Sequence, residues 1–205
     1  MTNEVSKMIA IVGGSGAGKT WLVRELCKTL GNRAAVISLD NFYRDRSHLS
    51  PWRRAKINFD HPRSIDWNQV KKVLTDCAQG KECLLPNYDF NTHTQGDSAE
   101  LLHSAPIILV EGLWLLHRPS VRRMFAFKIF LDCPQEVRLE RRLARDTMER
   151  GRSAISIKKQ FCETVVPMHD RFVAPQKRHA DLILSRPPSR AEINRLAKKL
   201  SELCA

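Results

Sequence analysis

Residues 8–20 read MIAIVGGSGAGKT, an apolar run that breaks into glycines and closes on a lysine and a threonine. Its second part, Gly13-Gly-Ser-Gly-Ala-Gly-Lys-Thr20, satisfies G-x-x-x-x-G-K-[ST] in full. Met8–Val12 has the composition of a buried strand, and Leu22, Leu26 and Leu30 follow at helical spacing until Gly31 stops them. A strand, a glycine turn and a helix in that order form a phosphate cradle. The backbone N–H groups of Gly13, Gly14, Ser15, Gly16, Ala17 and Gly18 turn inward around phosphate oxygens, and the helix N-terminus adds its dipole. Lys19 is expected to reach the β- and γ-phosphates, and the Thr20 hydroxyl to ligate Mg²⁺. The stretch predicts a nucleoside triphosphate site.

Outward from this unit, apolar β-rich runs alternate with helix-patterned stretches, which predicts an α/β fold with a mostly parallel five-stranded sheet flanked by helices. The further strands are Ala34–Ser38, Ile107–Val110, Phe127–Leu131 and Asp181–Leu184. Two carboxylates follow strand ends directly, Asp40 after the second and Glu111 after the third. That edge of an open α/β sheet is where ligands bind. Asp40 there suits proton acceptance from an acceptor hydroxyl or a share in holding Mg²⁺, and taken alone it serves equally as a turn aspartate. Glu111 stands at the Walker-B position, acting on Mg²⁺ or its waters.

Between the second and third strands the pattern changes. Asp66 caps a helix over Trp67–Gln79 that ends at Gly80, and Cys83–Asn87 and Ala99–His103 pair around the polar stretch DFNTHTQGDS. This predicts a hairpin appendage over about residues 83–104. Pro134 opens a long helix to Gly151, and a second helix runs from about Ser153 to Phe172, bent or interrupted by Pro167. Residues 134–160 together have the form of a lid. From Ser189 an amphipathic helix with Leu196 and Leu200 closes the chain, and residues 1–205 read as one domain.

Bulk properties narrow the class without choosing a partner. With 205 residues and 42% hydrophobic content the chain can bury a core, and its apolar runs are too short to span a bilayer. The N-terminal MTNEVSK lacks a signal-peptide core, and six cysteines without metal spacing read as free thiols, so a cytoplasmic protein with no membrane partner is expected. The formal net charge of +12 invites nucleic acid, yet small polyanions attract cations equally. Six arginines fall in the sixteen residues VRLERRLARDTMERGR (137–152). Arg138, Arg141, Arg142 and Arg145 form one stripe at i, i+3, i+4 and i+7, with Leu139 and Leu143 on another side to anchor the helix. The stripe ends at Gly151, a hinge residue, which suits a lid that brings guanidinium groups to a triphosphate after binding. Interleaved acids and the lack of an aromatic single-strand platform speak against nucleic acid.

Several segments together resemble the uridine kinase family of P-loop kinases, with phosphoribulokinases as relatives. They are GGSGAGKT, LDNFYRD (39–45), NFDHPRSID (58–66), NYDFNTH (87–93), VEGLWLL (110–116), the arginine stretch and PQKRHADLIL (175–184), in the family's order over about residues 8–185. The resemblance implies a P-loop kinase fold and transfer of the γ-phosphoryl of ATP, with Mg²⁺, to the 5′-hydroxyl of uridine or cytidine. It implies Asp40 as catalytic base with Lys19, Asp60 on the ribose hydroxyls, and Tyr88, Phe90 and His93 around the base. Arg142 and Arg145 would serve the phosphates or ribose, and Arg152 and Gln160 the nucleoside, leaving Arg138 and Arg141 as surface residues. Thr94-Gln95 stands where the family usually has Ser-Arg, so a charged contact near the nucleoside is missing. Two other readings remain: a P-loop kinase of a sugar phosphate or other small alcohol, and a non-catalytic regulator that binds nucleotide or nucleic acid. Relatives often self-associate, so a homo-oligomer is an implication of the resemblance.

Overall fold

The structure, a computed structural model, describes residues 6–54, 56–90, 92–96 and 98–204. The acidic N-terminal stretch read above lies, through Val5, outside the described residues. In chain order the first elements are β1 (Lys7–Gly13), α1 (Lys19–Leu30), β2 (Ala34–Ser38), α2 (Pro51–Arg54), α3 (Trp67–Ala78), β3 (Cys83–Leu85), β4 (Tyr88–Asp89), β5 (Thr94–Gln95) and β6 (Glu100–Leu102). Then follow β7 (Ile107–Gly112), α4 (Pro119–Arg122), β8 (Phe127–Leu131), α5 (Gln135–Arg150), α6 (Ala154–Gln160), α7 (Val166–Met168), β9 (Leu182–Leu184) and α8 (Arg190–Glu202).

β1 is buried from Met8 onward, so both of its faces need covering. The main sheet has the order β2-β7-β1-β8-β9, and each pairing in it is parallel. Alternate residues feed opposite cores, as a period of two demands. Ile9 and Ile11 meet Leu22 and Leu26 of α1 and Ile193, Leu196 and Leu200 of α8. Ala10 and Val12 meet Leu39, Trp67, Leu74, Trp114 and Phe130 on the α3 side. A capping box of Ser189 and Glu192 starts α8 where the sequence places it. Register then sets the functional edge: Ile11 and Ser38 both pair with Glu111, and Gly13 pairs with Leu131. Gly112 has to be glycine, because a side-chain carbon there would lie 2.4 Å from Leu39 Cβ.

One element differs from the sequence reading. The appendage is two ribbons, β3 with β6 and β4 with β5, not one pairing of residues 83–87 with 99–103. Pro86 has no N–H to continue the first ladder, so the chain ends β3 at Leu85 and restarts at Tyr88. Around Pro167 the α-helical pattern is interrupted, as expected, although the chain stays helical. π turns at Phe161–Val165 and His169–Val173 flank α7, and their wider spacing absorbs the missing donor. Beyond this arm Gln176 is buried and fully engaged. Its Oε1 accepts from Leu116 N at 2.8 Å, and its Nε2 donates to Leu113 O at 2.8 Å and Phe172 O at 2.7 Å. Among the described residues no helix is long and apolar enough to cross a membrane, and the six cysteines are free.

Phe130, on β8, is 2% exposed and packs into the α3-side core. Phe130→Ala is expected to lower unfolding free energy by about 3–5 kcal/mol, measured by denaturant titration. A loss below about 1 kcal/mol would show that this core collapses around the gap.

Candidate active site

At the C-terminal edge of the sheet a cleft of about 610 Å³ runs from the phosphate loop to the hairpin ribbons. Its donor end is built by the loop between β1 and α1. Gly16 holds a φ of 81°, and a side-chain carbon there would come 2.4 Å from the Arg138 carbonyl oxygen, so only glycine permits both the turn and the contact. Lys19 Nζ donates to Gly14 O at 3.2 Å. Burial lowers the Lys19 pKa, opposed by the charges of Glu111 and Asp40. Thr20 Oγ1 donates to Glu111 Oε1 at 2.8 Å and reaches Oε2 at 3.2 Å. Glu111 is 9% exposed, and burial raises its pKa while the Lys19 charge pulls it back.

Asp40 lies in a one-turn helix, Leu39–Phe42. Ser38 caps that turn, accepting from Asp40 N at 3.3 Å. The capping task is therefore taken, and the Asp40 carboxylate lines the cleft with Lys19, Thr20 and Glu111. Hydroxyl and carboxylate oxygens are the hard donors that Mg²⁺ takes. Among the described residues no three or more His, Cys, Asp or Glu side chains gather to hold an ion. The donor set suits a cation that shares its shell with phosphate oxygens and water, as Mg²⁺ does.

The acceptor end is aromatic. Tyr88 and Tyr43 are 6% exposed, with ring centroids 5.1 Å apart, and Phe90 meets both edge-on. Burial pushes the Tyr88 hydroxyl up to about 12. His93, with a φ of 57°, stacks on Phe59 at 4.1 Å and 11°, and its Nδ1 lies 3.4 Å from Tyr88 Oη. Next to Phe59, Asp60 has its pKa raised by burial and lowered by Arg142. Tyr43 and Phe59 carry no role in the sequence reading, although both stand inside the quoted segments. Gln95 faces away from the cleft: its Nε2 donates to Tyr43 O at 3.2 Å, and its N–H to Asp45 Oδ1 at 3.1 Å. It ties the hairpin to the turn after β2.

Over the cleft lies α5, and its buried edge is polar. Arg138, Arg142 and Asp146, at i, i+4 and i+8, are 3%, 6% and 0% exposed, whereas Leu139 and Leu143 are only half-buried. This corrects two expectations: the leucines do not anchor the helix to the core, and Arg138 is not a surface residue. The reason is what α5 packs on. It lies against the phosphate loop, where Gly14 and Gly16 carry no side chains and leave the space that Arg138 fills. Arg138 Nε donates to Cys133 O at 3.2 Å. Arg141 is exposed, yet its Nη1 stands 3.4 Å from both Gly16 O and Ala17 O. Arg142 donates to Ser15 Oγ at 3.0 Å and Gln160 Oε1 at 2.9 Å, and Arg152 reaches the same Gln160 oxygen at 2.7 Å. Arg145 bonds Asp146 and lines the cleft. Lid and loop are already in contact.

A second cleft of about 690 Å³, which no motif announces, opens beside Gly18. Trp21, Val137, Pro187 and Pro188 make it apolar, and Arg141 borders both clefts. Behind the loop, a side-chain carbon on Gly14 would meet Arg138 Nη1 at 2.7 Å and His169 Nδ1 at 2.8 Å. Both nitrogens are buried with no hydrogen-bond partner among the described residues. Burial and the adjacent Arg138 charge bring the His169 pKa down to about 4.

Residues 8–192 match the model of the phosphoribulokinase / uridine kinase family. A uridine kinase of Staphylococcus aureus (strain JH9) is 38% identical over 182 residues, which cover 88% of this chain and 88% of that protein. Two solved structures share the fold at low identity. A possible uridine kinase from Bacillus stearothermophilus has a TM-score of 0.53 at 20% identity, over 88% of this chain and 89% of that one. Phosphoribulokinase from Rhodobacter spheroides has a TM-score of 0.64 at 13% identity, over 93% of this chain and 74% of that one.

His169 predicts a pH dependence. Its imidazole is neutral in the folded chain, and unfolding restores a value of 6.5. The folded value is the lower one, so this stability is present above pH 6.5 and is lost as pH falls toward 4. Denaturant midpoints should show a loss of about 2 kcal/mol from pH 7 to pH 5, and His169→Gln should flatten that slope. Equal slopes in the two proteins would remove His169 as its source.

Proposed function

Since the chain belongs to the phosphoribulokinase / uridine kinase family and is a phosphotransferase, we propose that it moves the γ-phosphoryl of ATP to the 5′-hydroxyl of uridine and cytidine. The products are UMP and CMP, and the role is pyrimidine salvage. The observation that carries the reading is one cleft lined at one end by Lys19, Thr20, Asp40 and Glu111, and at the other by Asp60, Phe59, Tyr88 and His93.

Each residue has a task that its surroundings support. Asp40 accepts the proton of the attacking hydroxyl, since its carboxylate faces the cleft and not its own turn. Lys19, Arg142 and Arg145 balance charge on the phosphates, where phosphoryl transfer depends mostly on positioning and electrostatics. Thr20, with Glu111 and Asp40, would hold Mg²⁺, which would neutralise phosphate charge when bound. The carboxylate of Asp60 accepts from the ribose hydroxyls, and Arg152 and Gln160 close over the nucleoside. A flat base packs against Phe59, Tyr88 and Phe90, and His93 meets its polar edge. A neutral imidazole has one donor and one acceptor, so its tautomers serve uracil and cytosine alike. The apolar cleft beside Trp21 takes the base of ATP, with Arg141 between base and phosphates. A sugar phosphate would want cations where Tyr43, Phe59 and Phe90 stand.

An ADP-release screen over uridine, cytidine, the other nucleosides and ribulose 5-phosphate tests the proposal. Turnover is expected with uridine and cytidine, within about a hundredfold of each other, roughly 2.7 kcal/mol. Asp40→Asn should lose several hundredfold, on the order of 4 kcal/mol. Turnover confined to ribulose 5-phosphate overturns the nucleoside reading, and an unchanged rate in Asp40→Asn removes that residue as the base.

A further inference from the structure

Asp146 has no part in the roles given above, yet its side chain is fully out of solvent. It sits one turn after Arg142 on α5, just before the lid corner at Gly151, which has a φ of 60°. Its Oδ1 accepts from Arg145 Nε at 2.9 Å and lies 2.8 Å from Arg145 Nη2. Its Oδ2 faces Arg142 Nε at 3.3 Å and Arg152 Nη1 at 3.8 Å. Its backbone carbonyl accepts the N–H of Gly151 and, at 3.1 Å, that of Arg152. Main chain and side chain thus act on the same corner.

A carboxylate sealed from water is costly unless it is matched. Among the described residues the matching groups include the guanidinium groups of Arg142, Arg145 and Arg152, which all line the cleft. The carboxylate stands in ion-pair range of the inner nitrogen of Arg142, and both Nη groups point outward, onto Ser15 of the phosphate loop and onto Gln160. Like charges gathered on one lid would otherwise splay apart. We infer that Asp146 is a positioning residue: its carboxylate holds the plane of Arg145 and balances the charges of Arg142 and Arg152, so that Arg142 and Arg145 face the transferred phosphoryl group, and Arg152 the nucleoside, before substrate arrives. Donors set in advance act on the transition state without reorganising. The inference rests on the phosphotransfer reading above.

Asp146→Asn tests it, because the amide keeps the side chain's size and leaves the backbone carbonyl in place. A positioning role separates chemistry from binding. We expect kcat to fall by about 30-fold or more, while the Kd for Mg²⁺–ATP, by calorimetry without acceptor, stays within about threefold or tightens, since a negative charge has left the site. A merely structural role would weaken kcat and Kd in parallel, and that result overturns the inference, as does a kcat within about threefold of the parent's. Should Asp146→Asn not fold, Arg145→Lys reads the same link. Lysine keeps the charge but cannot hold Asp146 with one nitrogen while presenting another, so the same split is expected, and a kcat within about threefold overturns the inference. Reference rates use the best acceptor of the screen. A wrong acceptor then shows in the screen, and a wrong role for Asp146 shows in the variants.

Discussion

From Met8 to Val12 the backbone of β1 is out of solvent on both sides of the sheet, so each of its polar groups needs a partner from a neighbouring strand. Parallel pairing with β7 and β8 supplies those partners. It also forces the strands to finish together, and their helices must then return across the faces. The functional edge follows from this. Gly13, the turn after Ser38 and Glu111 stand side by side because the ladder that satisfies β1 leaves them no other register.

What gathers at that edge is charge withdrawn from water. Burial works against the charged forms of Lys19, Glu111, Asp60 and Arg142, and in each case an oppositely charged neighbour works for them. Such a balance is stable while it is complete and sensitive to any charge that enters, because the surroundings screen poorly. A polyanion entering the cleft therefore meets cations whose present partners are carboxylates and hydroxyls of the chain itself. The basic composition, which first suggests a nucleic acid, is in part this internal arrangement: Arg138 and Arg142 are buried and contribute little to the outer surface.

The loop, the strand order's hydrophobic cause and the residues of the quoted segments were legible in the sequence because each rests on local rules. Glycine placement, strand composition and a carboxylate after a strand need no knowledge of distant neighbours. Other features depend on tertiary contact and could not be read that way. On a helix wheel Arg138 and Leu139 are equally able to face inward, and the choice falls to the arginine only because a bare glycine backbone lies opposite. Tyr43 and Phe59 gain their place from a hairpin that is remote in sequence. The apolar cleft beside Trp21 is assembled from α1, α5 and the loop after β9, with no continuous motif. Gln95 looked like a lost contact to the nucleoside, and its amide instead fastens the hairpin.

Gln176 has a mechanical meaning. Its amide, itself 2% exposed, bonds the exit loop of β7 at Leu113 and Leu116 and the helical arm at Phe172. Loop and arm are riveted into one rigid frame that includes Glu111 at its root. One side chain thus ties the arm that follows the lid to the strand end that carries Glu111, and the two cannot shift apart without breaking all three bonds.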